Sequence, residues 1–290
     1  MLSFEDCFKG GLDMSFITSD GVSLFLETEG NGVPCIYLHR GPGYWSKSFK
    51  NAVGSLCAEG LEMIYLDQRG CGRSSIDPNG DYSLDRLIQD IEEIRVYLGI
   101  EQWYIMGHSF GGILAVNYAE QFPESVKGLI LSNATLDMKE SFAYQINKGR
   151  ELLRLDSIEF PKNDIPNLLN SFYETVQELM EMDLFYKLQF QSLSDKQKMD
   201  KIDEELQAKP DFQQYIFSTE AYFQDFRELT SAVSAPVLIL SGKYDYAIGP
   251  NHQEGFQFKN AVYKVMDSGH HPYIEDPIGF KNVVSEFILS

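Results

Sequence analysis

Short apolar runs recur along the chain at 34–38, 63–66, 103–106, 129–132, 236–241 and 262–266. Runs this brief, with no polar alternation, predict strands of a sheet covered on both faces. Ahead of them, 14–19 and 22–28 flank Asp20-Gly21, which reads as a β-hairpin. Between the runs the spacing becomes helical: in 83–98, Leu84, Leu87, Ile88, Ile91 and Ile94 fall on one stripe. This β-then-α rhythm predicts an α/β protein with a doubly wound, mostly parallel sheet. Between Leu136 and Thr230 the rhythm breaks into charge-rich helical sequence such as SFYETVQELMEMDLFYKLQF. A helical cap inserted after the sixth strand, at 136–230, would therefore interrupt a core formed by 1–135 and 231–290. Such a cap would lie over the sheet's C-terminal edge, where open α/β sheets bind ligands.

Composition narrows the partners. With 290 residues and 43% hydrophobic content, the chain can bury a large core. Its 24 Lys plus Arg against 43 Asp plus Glu give a formal net charge of -19. That charge repels phosphate backbones and anionic membranes, so neither nucleic acid nor membrane is an expected partner. Cys7, Cys35, Cys57 and Cys71 have neither metal-ligand spacing nor the density of a disulfide framework. They suit a reducing compartment. With no secretory leader pattern at the N-terminus and no long apolar stretch, a cytoplasmic location is expected. The expected ligand is a small molecule or a short peptide; the sequence leaves the oligomeric state open.

The strongest chemical signal is Gly107-His108-Ser109-Phe110-Gly111-Gly112, between an apolar run and a helical pattern. A Gly-x-Ser-x-Gly turn in that context projects the serine from the sheet above a helix N-terminus. An ordinary serine is a weak nucleophile and needs a base, which needs an orienting acid. Later in the chain Asp245 follows one strand run in SGKYDYAIGP, and His270 follows another in DSGHHP. His271 competes with its neighbour as base, His270 being preferred because it directly follows Gly269. Asp67 is the rival acid, read preferentially as a turn-capping carboxylate. Acyl transfer also needs two N–H donors for the oxyanion. One would be Phe110, after the nucleophile; the other would come from the loop His39-Arg40-Gly41-Pro42-Gly43.

His39-x-Gly41-Pro42-Gly43, Asp67-Gln68-Arg69-Gly70-Cys71-Gly72-Arg73-Ser74, the Ser109 turn and Ser268-Gly269-His270 with Pro272 together resemble the proline iminopeptidases (prolyl aminopeptidases) of the α/β-hydrolase superfamily. The resemblance implies an α/β-hydrolase fold and a triad of Ser109, Asp245 and His270. It also implies an oxyanion hole from the Gly41 and Phe110 N–H groups. The activity implied is release of an N-terminal residue, often proline, from short peptides, with no metal and no organic cofactor. Two positions depart from the family pattern. Arg40 replaces the usual glycine, and Lys243 stands where one branch has a glutamate for the substrate's α-amine. Glu220, among aromatics in FSTEAYF, is the candidate cap acid for that amine. Arg40 and Lys243 would instead suit an anionic substrate, which keeps open an esterase, amidase or C–C bond hydrolase using the same triad. A catalytically silent binding protein is disfavoured because every triad position is filled, and Ser109 argues against chemistry that uses an aspartate nucleophile.

Overall fold

The computed structural model describes residues 13–161 and 164–289. Eight strands form one sheet in the order β1-β2-β4-β3-β5-β6-β7-β8. They are β1 (Asp13–Ile17), β2 (Ser23–Glu29), β3 (Val33–Leu38), β4 (Leu61–Asp67), β5 (Trp103–His108), β6 (Val126–Ser132), β7 (Val237–Gly242) and β8 (Ala261–Met266). The hairpin β1–β2 is antiparallel and β2 pairs antiparallel with β4; every other pairing is parallel. This is the doubly wound, mostly parallel sheet that the apolar runs predict.

β5 and β7 are buried at every position, which explains their unbroken apolar sequence. β8 is different. As the edge strand it leaves Val262, Tyr263 and Val265 exposed, so an apolar run alone did not distinguish an edge from the interior. Helix α1 (Leu84–Tyr97) starts where the Ser83 side chain accepts from the Arg86 N–H, and it buries Leu87, Ile88, Ile91 and Ile94. Helix α2 (Gly111–Gln121) follows β5 and is buried along nearly its whole length.

Between β6 and β7 the chain forms helices α3 (Met138–Leu152), α4 (Ile165–Glu181), α5 (Leu193–Asp203) and α6 (Pro210–Ser218), with 3₁₀ turns at Phe185–Leu188 between α4 and α5 and at Glu220–Phe223 and Phe226–Ala232 after α6. This helical cap shares its apolar interior with the sheet. Phe212, Ile216, Tyr222, Phe223 and Phe226 belong to the cluster that holds Leu87, Ile113 and Leu114. Phe190 and Met199 join the cluster on the opposite face, with Phe49 and Tyr273. Each fully buried side chain of this kind contributes roughly 1.5–3 kcal/mol, so the cap is welded to the sheet by packing.

A buried charge network secures the hairpin. The Arg69 guanidinium, fully enclosed, pairs with Asp20, Asp77 and Asp90 at 2.7, 2.6 and 2.8 Å. Cys35, Cys57 and Cys71 are free and buried, whereas Cys7 lies outside the described residues. Burial pushes the Cys57 thiol up to about 12, which makes it unreactive. Among the described residues no helix is long and apolar enough to cross a membrane.

Candidate active site

Ser109 sits at the C-terminal end of β5 with φ of 54°, in the left-handed region. The flanking glycines permit that geometry. A Cβ on Gly111 would lie 2.2 Å from the Leu38 carbonyl oxygen, and one on Gly107 would lie 2.6 Å from the Gly111 carbonyl oxygen. The turn is thereby pressed against the end of β3. The Ser109 N–H donates to the Ser132 carbonyl at 3.2 Å, and α2 begins directly behind the serine.

The structure brings Ser109, His270 and Asp245 together. His270 Nε2 lies 3.0 Å from Ser109 Oγ, and His270 Nδ1 lies 2.8 Å from Asp245 Oδ2. A carboxylate can only accept, so Nδ1 carries the proton and Nε2 presents its lone pair to the serine hydroxyl. Asp245 is itself held from three other directions. The Ala247 and Ile248 N–H groups donate to Oδ1 at 3.0 and 3.2 Å, and Asn133 Nδ2 donates to Oδ2 at 2.8 Å. Asn133 adopts φ of 47° just past β6. It escaped sequence analysis, yet an asparagine directly after a strand run, tolerant of the left-handed region, is a readable signal.

His271 faces elsewhere. Its Nδ1 lies 3.2 Å from His108 Nε2 and its Nε2 lies 3.2 Å from Gln189 Oε1. Burial holds both His108 and His271 well below the ordinary histidine range, so both are neutral. Asp67 is equally remote from the chemistry. It accepts from the Ser46 N–H and hydroxyl at 2.8 and 2.6 Å, and from the Arg73 N–H and Nε at 2.9 and 2.7 Å. Burial would raise its carboxyl, but the Arg73 contacts prevail and hold it below the usual range.

The loop after β3 is clamped by neighbouring motif residues. His39 Nδ1 donates to the Arg40 carbonyl at 2.7 Å, and its Nε2 accepts from the Gln68 N–H at 3.0 Å. Gln68 Nε2 donates back to the His39 carbonyl at 3.0 Å. Gly41 and Phe110 then line the same cavity as Ser109, and among the described residues neither of their N–H groups donates to a protein acceptor. Both are available to a ligand.

That cavity measures about 300 Å³. The cap supplies an aromatic wall of Phe142, Phe172, Tyr173, Phe185 and Phe217, with Gln145, Gln189 and Gln213 as polar points. Arg40 lines it too, and no Asp or Glu is found among the described lining residues. The sequence reading needs correction at two positions. Glu220 is exposed outside the cavity: the aromatics around it, Tyr222 and Phe223, are core residues that turn inward and leave it in solvent. Lys243 lies on the outer rim past β7, 60% exposed, with its ammonium 3.9 Å from Asp267. Among the described residues no group of three or more His, Cys, Asp or Glu could hold a metal ion.

A model of the alpha/beta hydrolase fold matches residues 34–277. The chain belongs to the α/β hydrolase fold family. Within it, this α/β hydrolase is similar to proline iminopeptidases. It is 39% identical over 114 residues to that of Neisseria gonorrhoeae, a match covering 37% of this chain and 35% of the relative. With the proline iminopeptidase of Saccharolobus solfataricus it shares 27% identity over 245 residues, 78% of this chain and 75% of the other. Among solved structures, a proline iminopeptidase-related protein from Thermus thermophilus superposes with a TM-score of 0.81 at 21% identity, covering 96% and 98% of the two chains. An esterase from Exiguobacterium antarcticum gives 0.69 at 20% identity, covering 96% and 100%. At these identities the structural likenesses speak to the fold alone.

Proposed function

We propose that this α/β hydrolase is a serine hydrolase that cleaves small amides or esters through an acyl-enzyme on Ser109. The observation that carries the reading is the Ser109–His270–Asp245 relay, at 3.0 and 2.8 Å, on the wall of the aromatic cavity. Ser109 Oγ attacks the substrate carbonyl carbon while its proton passes to His270 Nε2. The carbonyl oxygen takes up the electron pair and accepts hydrogen bonds from the Gly41 and Phe110 N–H groups; a donor of this kind is worth roughly 10²–10³ in rate. Collapse breaks the bond to the leaving amine or alcohol, which receives the His270 proton. Water then attacks the acyl-enzyme, with His270 as base, and restores Ser109.

The similarity to proline iminopeptidases supports an aminopeptidase that releases an N-terminal residue such as proline from a short peptide. A second reading, an esterase, amidase or C–C bond hydrolase, is favoured by the cavity lining. A substrate ammonium there would meet neutral amides, hydroxyls and Arg40, with no carboxylate among the described lining residues to receive it. A fluorophosphonate probe should label wild type and spare Ser109→Ala; equal labelling of both would refute the acyl-enzyme. Hydrolysis of Pro-p-nitroanilide against its N-acetyl counterpart then separates the two readings, since an aminopeptidase needs the free amine.

A further inference from the structure

Arg40 is an unusual side chain to enclose. It is 7% exposed, and among the described residues its guanidinium donates one hydrogen bond, from Nη2 to Asp203 Oδ2 at 2.7 Å. Nε is buried without a partner. Buried donors are ordinarily satisfied; Nε is closed off from any ligand, whereas Nη1, also without a partner among the described residues, keeps accessible surface and is the donor open to an acceptor brought by a ligand. Asp203 is fixed in place by Trp45 Nε1 at 2.7 Å and Ser48 Oγ at 2.6 Å. Tyr44 stacks 3.7 Å from the guanidinium carbon. One face and one corner of the fork are therefore held.

Arg40 also stands between two spaces. Beside the catalytic cavity lies a second one of about 610 Å³, and Arg40, Tyr44, Phe185 and Gln189 line both. The second cavity opens beside the backbone that holds His270, because Gln189 lines it. The Gln189 carbonyl accepts from the His270 N–H at 2.7 Å, and the group that His270 protonates must depart past that histidine.

We infer that Arg40 receives a carboxylate carried by the substrate's leaving group, at the junction of the two cavities. The inference rests on hydrolysis at Ser109 and names its substrate class: acyl derivatives of small amino or hydroxy acids, dipeptides among them. A planar guanidinium with free N–H groups matches a carboxylate in shape as well as charge. The chamber beyond carries Asp183 and Asp200, and Asp203 already occupies Arg40 Nη2, which leaves the remaining N–H groups for the substrate. A single carboxylate stopping at Arg40 is accommodated; a longer acidic chain would be repelled.

The test compares 4-(butyryloxy)benzoate with its neutral isostere 4-(butyryloxy)benzamide. Wild type should prefer the benzoate by about tenfold in kcat/KM, the scale of one charge-assisted hydrogen bond. In Arg40→Gln the ratio should collapse toward one, and Arg40→Lys, which keeps the charge without the fork, should fall between. A wild-type ratio near one, or a ratio unchanged in Arg40→Gln, overturns the inference. A second pair, phenyl hemiglutarate and phenyl valerate, puts the carboxylate on the acyl side. A preference there in place of the benzoate overturns the leaving-group assignment. Calorimetric binding of 4-hydroxybenzoate against 4-hydroxybenzamide to wild type reads the same recognition without turnover. Tighter benzoate binding with no hydrolysis of any ester would refute the acyl-enzyme alone; equal binding would refute the role of Arg40 alone.

Discussion

Asp245→Asn changes one atom and should nearly silence the proposed reaction. The wild-type carboxylate accepts from four donors: the Ala247 and Ile248 N–H groups on Oδ1, and Asn133 Nδ2 and His270 Nδ1 on Oδ2. An asparagine has one carbonyl oxygen to serve both sides. If that oxygen faces Asn133 and His270, its NH₂ is driven against two buried backbone donors, at roughly 1–3 kcal/mol for each one left unsatisfied. The favoured arrangement points the oxygen at those backbone groups and the NH₂ at His270 Nδ1. The imidazole must then present a lone pair at Nδ1 and carry its proton on Nε2. In that tautomer it cannot accept the proton of Ser109, 3.0 Å away. A tautomer change of this kind costs about 10⁴ in kcat, equivalent to about 5.5 kcal/mol of barrier. Steady-state hydrolysis of an activated ester, with fluorophosphonate labelling rates in parallel, measures it. A loss below tenfold in a folded variant would refute the claim that Asp245 sets the histidine tautomer.

Other consequences are as open to test. Arg69→Met should destabilise the fold by roughly 3–5 kcal/mol, because Asp77 would remain buried without its cation while Asp90 keeps only Arg86; denaturant unfolding reads it. Gly111→Ala should lower both the unfolding temperature and turnover, since its Cβ would meet the Leu38 carbonyl at 2.2 Å, whereas Gly60→Ala, with nothing within 4 Å, serves as the neutral control. Stability should fall on acidification. Burial holds His108 and His271 low and His39 down to about 4, against an ordinary value near 6.5. Between those pH values the unfolded chain binds the extra protons, so stability is lost as pH drops from about 6.5 toward 4, by up to about 1.4 kcal/mol per unit for each histidine. Thermal unfolding across that range, with His39→Gln flattening the slope, checks the sign.

The sequence disclosed the sheet because central parallel strands must be apolar on both faces, and it pointed to Ser109 and Asp245 because each follows such a strand, and to His270 because it follows the apolar run of the edge strand β8. Position along the chain and position in space coincide there. They part company in the cap. Glu220 looked like a pocket acid because aromatics flank it; Phe217 does reach the cavity, but Tyr222 and Phe223 serve the core and Glu220 itself stays in solvent. Asp203 and Gln189 carried no local signal, since their partners Arg40 and His270 lie 163 and 81 residues away and only packing brings them together. Lys243 directly follows β7, yet the rim of a sheet has an outer side as well as an inner one.

The order of the strands has a meaning during synthesis. Ser109, the proposed nucleophile, belongs to the first half of the chain, whereas Asp245 and His270 are translated after the whole insertion, next to strands at one margin of the sheet. A ribosome-bound chain that has emerged only as far as residue 235 therefore holds a serine with no partner to activate it. On the proposed mechanism, the site is complete only once β7 and β8 have paired with the rest of the sheet.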